Sequence, residues 1–66
     1  MRYEFRVDGV MTQITLHEAF SEMESFVLSH QTVLFGPVTD QAHLYGLLTR
    51  FQSLGLQVME MRQLPD

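Results

Sequence analysis

The side chains of this chain that could do chemistry are three histidines (His17, His30 and His43), an Asp40-Gln41 pair, four scattered serines and a set of carboxylates. A metal centre needs ligands that converge, typically a His pair one helical turn apart or a Cys pair close in sequence. Here the histidines stand far apart and there is no cysteine to support them. No metal and no cofactor are therefore expected. Ser21, Ser25, Ser29 and Ser53 lack the strand-turn-helix setting of an activated nucleophile. Glu18, Glu22 and Glu24 match the solvated edge of a helix, and Gly36-Pro37 suggests a turn rather than a phosphate-cradling glycine loop. A chain this small also has little room for a pocket of several hundred cubic ångströms, roughly the size ligand sites need. The expectation is a protein that is not an enzyme. Asp40, Gln41, His43 and Tyr45 remain the candidates for a ligand or partner contact at a helix N-terminus. The plainer reading of Asp40-Gln41 is a cap that satisfies orphan backbone N–H groups.

The elements that would position these residues follow from periodicity. Tyr3, Phe5 and Val7 alternate with Arg2, Glu4 and Arg6, which predicts a half-buried strand. Asp8-Gly9 signals a turn, leading either into a hairpin over Val10–Ile14 or through a loop into a helix. Thr15 and Glu18 fit a capping box, with Leu16, Ala19, Phe20 and Met23 forming an apolar stripe to about Met23. Ser25 to Ser29 predicts a strand, His30-Gln31 a tight turn, and Thr32 to Val38 a further strand. Asp40 opens a second helix with the stripe Leu44, Leu47, Leu48, Phe51 and Leu54, and Gly55 closes it in the left-handed position common after a helix. Gly46 costs about 1 kcal/mol inside a helix relative to Ala, so close approach of that helix to the sheet is expected as compensation. Gln57 to Gln63 predicts the last strand, and Leu64-Pro65-Asp66 a frayed tail.

The order β-α-β-β-α-β is that of the ferredoxin-like split βαβ arrangement, an α+β fold with two helices on one face of a four-stranded antiparallel sheet. All 66 residues make a single domain. A chain this short buries only about 60% of its unfolded surface, so its stability as a monomer would be marginal. With no disulfides and an apolar fraction of 45%, a second copy on the uncovered sheet face is expected, most simply with two-fold symmetry. If Val58 faces the helices, Met59 and Met61 lie on the opposite face and form, with Phe5, the dimer patch.

Gly36-Pro37-Val38-Thr39-Asp40-Gln41-Ala42-His43-Leu44-Tyr45-Gly46-Leu47-Leu48 and the Leu54-Gly55-Leu56 exit resemble a group of small bacterial proteins with a G-P-V-x-D-Q-A-x-L-x-G-L-L pattern. Tyr3 to Val7, Gly9 and Phe20 are similar too, so the resemblance covers most of the chain. Many members of that group place a His before the helical Gly. This chain has Tyr45 there, with His43 two residues earlier. The resemblance supports one small bacterial domain and implies no established activity.

Four arginines, no lysine and eight acidic residues give a net charge of −4. Nucleic-acid binding requires a basic stripe, and Arg2, Arg6, Arg50 and Arg62 are scattered, so no nucleic-acid partner is expected. There is no apolar run of about 20 residues to span a membrane and no signal-peptide pattern, so a cytoplasmic location is expected. The function expected is a non-enzymatic protein-interaction module, a homodimeric accessory or regulatory subunit that also contacts another protein. The alternative is a small-molecule-sensing dimer with its ligand at the subunit interface.

Overall fold

The computed structural model describes residues 1–65. The alternation at the N-terminus forms strand β1 (Arg2–Asp8), in which Phe5 and Val7 are fully buried. The chain continues through helix α1 (Gln13–Ala19), strands β2 (Glu24–Leu28) and β3 (Gln31–Pro37), helix α2 (Gln41–Ser53) and strand β4 (Val58–Leu64). The strands form one sheet in the order β2-β3-β1-β4, with every neighbouring pair antiparallel. Each helix thus joins two strands separated by a third. α1 connects β1 to β2 across β3, and α2 connects β3 to β4 across β1.

In register, Phe5 pairs with Leu34 and Val7 with Thr32. The strand pleat therefore puts these four residues on one face. Both helices pack there: Leu16 and Phe20 from the α1 segment and Leu44, Leu47 and Phe51 from α2 join Phe5, Val7 and Leu34 in one core cluster. Among the described residues no helix is long and apolar enough to cross a membrane.

Residues 9–12 form a loop into α1 rather than a hairpin. A buried hydroxyl explains the choice. Thr32 is wholly inaccessible; its Oγ1 donates to Gly9 O at 2.9 Å and accepts the Met11 N–H at 3.0 Å. The loop's inward-facing backbone groups thus have a partner within the core. The cap of α1 is Thr12, whose Oγ1 accepts the Thr15 N–H at 3.2 Å, and not Thr15. The helix ends at Ala19 rather than near Met23, with Phe20 as its C-cap. β2 and β3 are joined by Ser29-His30, one residue earlier than the expected turn, with His30 at φ 63°.

Gly36-Pro37 lies within β3 and is not a turn. A Cβ on Gly36 would stand 3.2 Å from Met23 Sδ and 3.4 Å from Glu22 O, so the glycine lets the Glu22-Met23 backbone lie down on the sheet. Gly46 is the reverse case. Nothing lies within 4 Å of where its Cβ would be, and the residue is exposed, so the expected close helix–sheet approach is absent there. α2 begins at its Asp40 cap and ends as foreseen: Gly55, at φ +72°, donates its N–H to Gln52 O, and Leu56 donates to Phe51 O, closing a Schellman motif. Leu64 belongs to β4, paired with Arg2, and is not frayed; Asp66 of the expected tail lies outside the described residues.

Gly46→Ala is expected to raise stability by about 1 kcal/mol, because it removes a helix-interior glycine without a clash. Thr32→Val is expected to lower it by about 1–3 kcal/mol, the cost of leaving the buried Met11 N–H unpaired. Urea unfolding midpoints of the two variants measure both effects.

Candidate functional site

Asp40, Gln41, His43 and Tyr45 share the first turns of α2, and the helix uses two of them structurally. Asp40 Oδ1 accepts the His43 N–H at 2.9 Å, an N-cap. His43 Nδ1 accepts the Thr39 N–H at 3.0 Å. A ring nitrogen that accepts cannot carry a proton, so in the neutral ring the proton sits on Nε2. Nε2 in turn faces Glu22 Oε2 at 3.5 Å. Glu22 also receives Arg50 Nη1, at 3.2 and 3.3 Å to its two oxygens. The same Nη1 donates to Ala19 O at 2.6 Å, and the guanidinium lies 5.5 Å from the centroid of the Phe20 ring. His43, Glu22 and Arg50 thus form a clamp that holds the segment after α1 against α2. Partial burial pushes the Glu22 carboxyl up, but its own backbone N–H, Arg50 and His43 outweigh that and hold it below its ordinary value. Gln41 and Tyr45 are exposed on α2.

The expected patch of Phe5, Met59 and Met61 is not assembled. Phe5 is in the core at 0% exposure. β4 carries a bulge opposite Arg6 and Val7: Glu60 pairs with Arg6 and Val58 with Val7, leaving Met59 as the extra residue. One inserted residue shifts the alternation, so Val58 and Met61, opposite Val7 and Phe5, both register with the helix face. On the uncovered face, β1 and β4 present Glu4, Arg6, Glu60 and Arg62 instead. Arg62 Nε donates to Glu4 Oε2 at 2.7 Å, an interaction that raises the arginine's pKa, and Arg6 Nε stands 3.8 Å from the same oxygen. Arg6 Nε is shielded from solvent and has no hydrogen-bond partner among the described residues.

The other half of that face is apolar. Phe26 of β2 and Phe35 of β3 meet edge to face with centroids 5.9 Å apart, and Val33, the register partner of Phe26, is wholly inaccessible. Every residue of β2 is exposed, and Phe26, Val27 and Leu28 are consecutive in it. Just inside this edge, on the helix face, a cleft of about 190 Å³ opens between α1 and β2. Leu16, Phe20, Met23 and Leu34 are the apolar part of its lining, and Gln13, His17, Ser21 and Ser25 the polar part. α1, only seven residues long, forms one wall of it through Gln13, Leu16 and His17. The Phe26-Val27-Leu28 run was visible as a strand, but its edge position depends on sheet order, which local sequence does not specify. Among the described residues no three His, Asp or Glu side chains converge as metal ligands would.

A family model described as a domain of unknown function, DUF8691, matches residues 2–62, and the chain belongs to that family. No match was found among the curated proteins or among the solved structures.

Glu22 sets a testable pH dependence. Its folded value lies below the ordinary 4.5, so the unfolded chain binds the proton more readily, and stability rises with pH across that interval. The clamp's contribution is complete above about pH 4.5 and is lost as pH falls through the folded value. Glu22→Gln should therefore lower the urea midpoint at about pH 7 and approach the parent protein as pH falls through the folded value.

Proposed function

We propose, for this member of a family of domains of unknown function, a non-catalytic interaction module that works as a homodimer and serves as an accessory or regulatory subunit. The observation that carries this reading is the consecutive exposed run Phe26-Val27-Leu28 on an edge strand, continuous with the Phe26–Phe35 aromatic pair. Exposed apolar strand edges pair with other chains unless something blunts them, and contiguous exposed apolar surface marks interaction sites. Asp40 and His43, two of the polar candidates, are occupied by the cap and the clamp. The arrangement is read further as ferredoxin-like, on the support of its element order and the interleaving of both crossovers around the central β3-β1 pair.

Sensing of a small molecule has weaker support. The cleft of about 190 Å³ falls below the roughly 300–1,000 Å³ of ligand sites, the hollow of about 360 Å³ beside Gln13, Ile14, His17 and Glu18 is shallow and open to solvent, and neither is lined by Asp40, Gln41 or His43.

Size-exclusion chromatography with light scattering over a roughly hundredfold concentration range tests the reading, because homodimerisation follows mass action. A dimer mass that gives way to monomer only on dilution is expected. A monomer at every concentration overturns the homodimer.

A further inference from the structure

The two edges of the sheet are built differently. β4 carries the devices that discourage pairing: a bulge at Met59 and the charges of Glu60 and Arg62. β2 has a single charge, Glu24, at its first position, and then Phe26, Val27 and Leu28, exposed by 45%, 43% and 41%.

Which backbone groups β2 turns outward follows from one hydrogen bond. Gly9 N donates to His30 O at 2.7 Å, in line with the β1–β3 register. Hydrogen-bonded pairs recur at every second residue of an antiparallel ladder. β3 therefore turns the backbone groups of Thr32 and Leu34 toward β1, and those of Gln31, Val33 and Phe35 toward β2. Leu28, Phe26 and Glu24, their partners on β2, point inward. The N–H and C=O groups of Ser25 and Val27 are left facing away from the sheet.

We propose that the homodimer forms by antiparallel pairing of β2 with β2 of a second copy, about a two-fold axis at Phe26, so that the two sheets become one. This rests on the homodimer reading and specifies its interface. Three features select the axis. Centred on Phe26, the whole strand Glu24–Leu28 overlaps, and Ser25 of each copy faces Val27 of the other as a hydrogen-bonded pair, so all the outward groups are satisfied. A shift of the axis by one residue in either direction runs one strand end past its partner. Glu24 falls opposite Leu28, keeping the two Glu24 carboxylates at opposite ends of the seam, whereas parallel pairing in register would set them side by side. On the helix face a small residue meets a larger one: Val27 of the second copy lies beside Ser25, at the edge of the cleft lined by Leu16, Phe20, Met23 and Leu34. The second copy thus supplies an apolar side chain at that edge. On the other face the two Phe26 side chains adjoin, flanked by Phe35 of each copy.

The chain has no cysteine, so a single introduced thiol reports the axis. At the non-hydrogen-bonded pair the two Cα atoms of residue 26 would be about 4.5 Å apart, within the span of a disulfide. Phe26→Cys is expected to run as a covalent dimer on a non-reducing gel, and Met59→Cys, on the opposite edge, as a monomer. Hydrogen exchange on the unaltered protein supplies the second readout: the Ser25 and Val27 amides should slow as concentration rises through the dimer range, while β4 amides do not. A light-scattering dimer in which Phe26→Cys stays uncrosslinked and these two amides stay fast overturns the β2 interface and leaves the homodimer standing. A monomer at all concentrations overturns both.

Discussion

Phe51 lies between the central strand and the end of the first helix. Its ring centroid is 5.2 Å from that of Phe5 and 4.6 Å from that of Phe20, the latter pair stacked at 22°. All three rings are essentially inaccessible. Burial of such side chains is worth roughly 1.5–3 kcal/mol each, a large share for a chain that can bury so little. The contact also sets geometry. Phe5 fixes the face of β1, Phe51 the face of α2, and Phe20 the point where α1 must stop and turn. The Glu22–Arg50–His43 clamp stands at the margin of this stack, with the Arg50 guanidinium over the Phe20 ring. It fastens in the polar layer what the aromatics join in the apolar one.

A core built on one side of a sheet leaves the other side and both edges to be managed separately. Across β1 and β4 the uncovered face is charged, with Glu4 between Arg6 and Arg62. Across β2 and β3 it is aromatic. This division, together with the bulge in β4, leaves β2 as the edge suited to another strand. β2 pairs on one side only and all its residues are exposed, so the cleft between α1 and β2 opens beside the free edge.

Local chemistry made much of this fold legible. The Asp40 cap, the α2 stripe from Leu44 to Phe51 and the Gly55 exit are signals confined to a few neighbouring residues, and each stands where the sequence puts it, while Leu54, expected in the stripe, is the exposed C-cap. β1 and β2 were legible for the same reason. Readings that needed a distant partner went astray. Thr15 fits a capping box but Thr12 is the cap, because the buried Thr32 hydroxyl, which fixes the loop before the helix, is remote in sequence. Gly36 looked like a turn because its role depends on the Glu22-Met23 backbone. Gly46 inside a helix suggests close packing, but its exposed position makes none.

For the candidate site the division is sharper. Asp40, Gln41, His43 and Tyr45 were identifiable as neighbours at the start of α2, but His43 turns to Glu22 while Gln41 and Tyr45 stay exposed. That His43 would bridge to Glu22 depends on the folding back of the segment after α1. Met59 and Met61 were placed by simple alternation, and one bulged residue moved Met61 onto the helix-facing register. The sequence by itself determined the elements, their order and both caps of α2, because these arise from propensities and hydrogen bonds within a few residues. Only the tertiary structure decided which strand lies at the edge, which face is charged and where the cleft opens. Those follow from strand pairing and packing between residues far apart in the chain.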